Sequence, residues 1–100
     1  MDGGDRKEER VQLSALPNIG KVTERWLHDI GIHDEEDLRR MGAVQAYRLI
    51  RAKEAAATPN LLYALHGALT GTPWNDLAAP IKEMLRRQAE RDERADQRPR

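Results

Sequence analysis

Apolar residues recur along this chain at helical rather than strand spacing. Ile19, Val22, Trp26, Leu27 and Ile30 stand at relative positions 0, 3, 7, 8 and 11, which form one stripe of a helix. Gly31 follows where a left-handed C-terminal residue belongs, with Ile32 placed to fold back on the last turn. Asp34 is expected to cap a short helix, because its carboxylate can accept the free amides of the first turn. Glu35, Glu36 and Asp37 then oppose the positive end of that helix dipole, Arg39 and Arg40 suit its negative end, and Gly42 closes it. A helix over residues 43–53 presents Val44, Tyr47 and Ile50 inward. Another from Pro59 to about Leu69 presents Leu61, Leu62, Leu65 and Leu69, and ends at Gly71. After a Thr-Pro-Trp-Asn turn, a last helix from near Pro80 is expected to bury Ile81, Met84 and Leu85. Val11, Leu13 and Leu16 form a short apolar lead that stops at Pro17, and no segment alternates with a period of two. The pattern predicts an all-α, compact bundle of five or six short helices.

The flanks lack such a pattern. Residues 1–10 carry no apolar side chain after Met1 and read as a disordered leader; residues 91–100 read as a charged, frayed tail. The folded domain is therefore expected over residues 11–90. With 39% hydrophobic residues and no Phe, its core must come from Leu, Ile, Val and Ala. The absence of cysteine excludes disulfides, thiolate nucleophiles and Cys-ligated metals. No apolar run approaches the roughly 20 residues of a membrane span, so no membrane association and a cytoplasmic location are expected.

Charge changes this picture little at first. Seventeen basic residues balance seventeen acidic ones, so a broad electrostatic footprint for nucleic acid is missing. The imbalances are local: −2 over residues 34–42, and +2 over each of residues 43–58 and 80–100. Arg48 and Arg51, three apart on one helix, share a face and form a secondary basic patch.

One segment carries a mechanism. Leu13 to Ile32 reads LSALPNIGKVTERWLHDIGI. Pro17 cannot continue a first helix, Asn18 tolerates positive φ, and Gly20 lets another group approach the backbone closely. Amides near Ile19, Gly20 and Lys21 would be the unpaired donors at the positive end of the second helix, forming a small anion site. Lys21 adds a full charge at its rim, and Arg25 repeats on the same face one turn later. Two short helices joined by Pro-x-hydrophobic-Gly resemble the helix-hairpin-helix motif. That resemblance implies a grip on one phosphate of double-stranded DNA, weak and without sequence readout, by Asn18, Ile19, Gly20, Lys21 and Arg25. The usual hairpin has glycine where this chain has Asn18, whose side chain crowds the phosphate site. A purely structural turn, or a protein contact, is the other reading. Pro59-Asn60-Leu61 echoes Pro17-Asn18-Ile19 but lacks the glycine, so no second phosphate site is expected.

A longer match surrounds the hairpin. Leu16-Pro17-Asn18-Ile19-Gly20, Trp26-Leu27, Gly31-Ile32, Asp37-Leu38, Gly42-Ala43 with Tyr47, Asn60 to Leu65 with Gly67-Ala68-Leu69, and Trp74 with Leu77 follow in order. Together they resemble the C-terminal domain of the TfoX (Sxy) regulators of DNA transformation, in which Asn18 is at home. The resemblance implies a small all-α domain tied to competence regulation through DNA or a transcription factor, with no enzymatic activity. Regulators of this kind resemble a two-domain design with a preceding α/β domain. The ten-residue leader leaves no room for it, so a separate TfoX N-terminal-like protein is a further expected partner.

The remaining residues suggest little chemistry. His28 and His33 are five apart across a glycine and His66 lies on another helix, so no metal site is expected. Ser14 is the only serine, and no phosphate-binding or dinucleotide loop exists, so neither catalytic residues nor cofactors are expected. Trp26 belongs to the core stripe. Trp74, in the turn, is either a plug over the core or an exposed anchor for a protein contact. A monomer or weak homodimer is expected.

Overall fold

A computed structural model describes residues 12–97, with side chains through Arg91. The expected leader, residues 1–10, lies outside the described residues, as do Val11 and the last three positions of the tail. A 3-10 turn at Leu13–Ala15 precedes α1 (Lys21–Asp29), α2 (Glu35–Met41), α3 (Ala43–Lys53) and α4 (Pro59–Thr70). A second 3-10 turn at Trp74–Asp76 leads to α5 (Ala79–Gln97). Among the described residues there is no strand; a single antiparallel bridge joins Gln12 to Asp34. The fold is all-α.

The helix ends follow from the residues that stand there. Gly31 has φ 88°, its N–H donates to the His28 carbonyl at 3.0 Å, and the Ile32 N–H donates to the Leu27 carbonyl at 2.9 Å. This paired closure folds Ile32 back into the core, where it is 1% exposed. The Asp34 side chain accepts from the Asp37 N–H at 2.8 Å, which fixes the start of α2. Pro59 occupies the first turn of α4, where its missing N–H costs nothing, and Gly71 ends that helix at φ 71°.

Helices α3 and α4 pack on each other at the centre, α5 lies across both, and α2 touches both. The 3-10 turn and α3 support α1. Leu13, Leu27, Ile32, Leu38, Ile50, Leu62 and Leu65 are fully buried, each contributing on the order of 1.5–3 kcal/mol through removal from water.

Three expectations change. Val22 is 61% exposed rather than inward. Ile19 precedes the helix instead of belonging to it, so a stripe counted from Ile19 is misplaced. Counted back from buried Leu27, Val22 lies roughly 140° away around the helix. Met84 is likewise 49% exposed, because α5 buries the i, i+4 row of Ile81, Leu85 and Ala89 instead. Finally, the element before the hairpin is one 3-10 turn and not an α-helix. The bridge of Gln12 to Asp34 on one side and Pro17 on the other leave room for a single turn only.

Candidate functional site

The segment Pro17–Lys21 makes a sharp corner between the first 3-10 turn and α1. Leu16 is extended at φ −82°, ψ 148°, Asn18 alone among the described non-glycine residues has positive φ, at 71°, and Gly20 is the N-cap of α1. Ile19 is buried and anchors the corner in the core, while its N–H donates to the Leu16 carbonyl at 3.4 Å. The Ile19 amide is thus engaged within the turn, and the donors open to a ligand begin after it. No side chain caps α1, and a Cβ built on Gly20 would meet nothing within 4 Å. The first-turn amides therefore face outward at an open helix end, without an acceptor in their own helix. Lys21 and Arg25 are exposed, and neither makes an ion pair among the described residues.

Asn18 does not turn its side chain outward. Its Nδ2 donates to the carbonyls of Thr72 (2.9 Å) and Ala64 (3.3 Å), and its Oδ1 accepts from the Trp74 backbone N–H at 3.1 Å. The carboxamide stitches the corner to the end of α4 and the loop beyond. Gly67 makes room for it: a Cβ there would stand 2.5 Å from Asn18 Nδ2 and 2.3 Å from the Thr72 carbonyl oxygen. This joint escaped the sequence reading. Its two signals were Asn where the hairpin pattern favours glycine, and a glycine inside a Leu-rich helix.

Trp74 is 40% exposed and held from two directions. Asn18 fixes its backbone, and Lys82 Nζ sits 5.5 Å from the centroid of its ring and 5.5 Å from that of Tyr63. Trp74 and Trp26 both line an open cleft of about 300 Å³ between α1, the α3–α4 loop and the start of α4. The corner and this cleft are adjoining, since Asn18 and Thr23 line it too.

The secondary basic patch lies elsewhere. Arg48 Nη1 donates to Gln45 Oε1 at 2.8 Å, and Arg51 Nη1 donates to the Tyr47 hydroxyl at 2.7 Å. Arg51 lines a small crevice of about 60 Å³ with Arg86 and Glu90, to which no corner residue contributes. His28 and His33 are brought together by the closure of α1, with ring centroids 5.0 Å apart; among the described residues no group of three metal-ligating side chains forms. No helix of the described residues is long and apolar enough to cross a membrane.

Comparison with known proteins covers nearly the same span. The TfoX C-terminal domain family matches residues 9–89. Protein Sxy of Escherichia coli K12 is 31% identical over 75 residues, which are 75% of this chain and 35% of that protein. DNA transformation protein TfoX1 of Aliivibrio fischeri is 27% identical over 84 residues, 83% of this chain and 40% of that protein. The chain thus spans well under half of these relatives. An uncharacterized protein from Listeria monocytogenes, solved in a triclinic crystal form, is 35% identical with a TM-score of 0.75, covering 83% of this chain and 94% of that one. A tetragonal-form structure of a protein of unknown function from the same organism gives 36% and 0.70, covering 74% and 91%.

Proposed function

Since the chain belongs to the TfoX C-terminal domain family, we propose that it is a non-enzymatic regulatory module of DNA transformation in the cytoplasm, and that it touches the DNA backbone at the Gly20–Lys21 end of α1. The observation that carries this reading is the inward turn of the Asn18 carboxamide. An asparagine at this place crowds an approaching phosphate only when its side chain points out. With that side chain tied to Ala64, Thr72 and Trp74, the amides after Gly20 and the charge of Lys21 are left facing solvent. Arg25 adds a second cation on the outer face of α1. Glu24 in the first turn opposes them, and the chain as a whole is neutral, so contact is confined to a few phosphates and is independent of base sequence.

Fluorescence anisotropy with a short duplex at two salt concentrations tests this. Weak binding that falls with salt is expected, and Lys21→Glu should weaken it several-fold and flatten the salt slope by about one phosphate contact. A carboxylate at the first position of α1 favours the helix dipole, so this variant should fold at least as well as the parent. Superimposable binding curves for the two proteins would remove the hairpin from the interface.

A protein-interaction adaptor is the second reading, favoured by the exposure of Val22 and Trp74. It predicts no duplex binding at moderate salt, and a shift in sedimentation with a transcription factor, a TfoX N-terminal-like protein or a second copy.

A further inference from the structure

Both tryptophans of the chain line the same cleft, although one stands in α1 and the other follows α4. Leu61 and Ala64 give it a small apolar floor. Around them stand three hydrogen-bonding side chains, Thr23, Thr58 and Asn60, and none has a hydrogen-bond partner among the described residues. Thr58 and Asn60 are exposed, so water is what a ligand would displace from them. Trp26 is half-buried and packs against the core, Trp74 leaves part of its indole exposed at the cleft, and the Asn60 carboxamide offers a donor and an acceptor side by side. A planar ligand with a polar edge matches this lining.

We propose that this cleft holds one nucleobase of a single-stranded nucleic acid, stacked on the Trp74 indole with its edge toward Asn60. The inference rests on the reading of the Gly20–Lys21 end of α1 as the phosphate contact. The two features are joined in space: Thr23, in the first turn of α1, lines the cleft, so a strand whose phosphate sits at the helix end can lay a base along that turn. Only an unpaired base can do so, because a base within a duplex has both faces covered by its neighbours. Trp74 is also pre-ordered for stacking. Its backbone is bonded to Asn18 and its ring is held by Lys82, so little side-chain freedom is lost on binding. The echo of Pro17-Asn18-Ile19 in Pro59-Asn60-Leu61 gains a meaning here: the first Asn is used up within the fold, and the second is left open at the cleft.

The two tryptophans make the chain its own reporter. Oligothymidylate and a duplex of equal length are titrated while intrinsic fluorescence and anisotropy are followed, using wild type, Lys21→Glu, Trp74→Leu and Trp74→Phe. The expected result is quenching by the single strand, tighter binding of single strand than duplex, and a loss of about five- to hundredfold in Trp74→Leu that Trp74→Phe largely restores. Leu keeps an apolar side chain for packing but loses the aromatic face and with it the Lys82 contact, both of which Phe retains, and circular dichroism checks that both variants are folded. If single strand and duplex bind equally, with Lys21→Glu weaker and Trp74→Leu unchanged, the hairpin contact stands and the base cleft is overturned. If neither nucleic acid binds, both readings fall, and a protein occupant of the cleft takes their place.

Discussion

Replacing Asn18 with glycine would restore the usual hairpin sequence, and the structure predicts that this apparent improvement unfolds the domain more easily. Two effects compete. Asn18 sits at φ 71°, where an L-residue is strained, and glycine relieves that by about 1 kcal/mol, the low end of the usual penalty because asparagine tolerates this region better than most residues. Glycine also raises the entropy of the unfolded chain, a cost of roughly 0.5–1 kcal/mol, so the backbone terms nearly cancel. What remains is the carboxamide. It makes three hydrogen bonds to main chain 46, 54 and 56 residues away. At about 1 kcal/mol each, with the 3.3 Å bond to Ala64 the weakest, their loss amounts to about 2–3 kcal/mol.

For a domain of this size that corresponds to a drop in Tm of roughly 8–24 °C. Urea titrations followed by circular dichroism and by tryptophan fluorescence give the free energy directly. Asn18→Asp separates the two halves of the amide. It keeps an acceptor for the Trp74 N–H but presents a carboxylate to two carbonyl oxygens, and so should be at least as destabilising as glycine at neutral pH. Stability of Asn18→Gly within about 0.5 kcal/mol of wild type would refute the reasoning, because an uninvolved surface position behaves that way.

Gly67→Ala tests the other side of the same joint. Alanine within a helix normally gains about 1 kcal/mol over glycine, but here its Cβ would overlap the Thr72 carbonyl and the Asn18 amide, so a loss of more than about 2 kcal/mol is expected in the same titration. Val22→Ser separates the observed helix face from the one that periodicity suggests. It should change stability by no more than about 0.5 kcal/mol, whereas a core valine would cost several times that.

Most of the fold could be read from local chemistry, because local chemistry decides it. Gly31 with Ile32, Asp34, Gly42, Pro59 and Gly71 each act within one turn of where they stand, and each ends or starts a helix as their residue types require. Periodicity failed where its origin was wrong. Ile19 is apolar and buried, but it belongs to the corner before α1, and counting from it rotated the predicted face until Val22 appeared buried. Met84 misled in a similar way: it lies next to Leu85 in sequence and about 100° from it around α5.

The candidate site was legible only on one side. The segment Pro17–Lys21 announces itself, since proline, a residue tolerant of positive φ and a glycine follow one another before an apolar-periodic helix. The wall opposite does not, because Ala64, Gly67, Thr72 and Trp74 meet Asn18 only through tertiary packing across some fifty residues. Chain neutrality, which at first argues against nucleic acid, has to be weighed with that wall in place. A phosphate contact built on backbone amides and one lysine needs little surplus charge, but it is weak. A base stacked on Trp74 would add affinity that no charge count reports and that salt does not screen. A neutral domain with both features should therefore lose only part of its single-strand affinity as salt rises, and the part that persists should disappear with the indole.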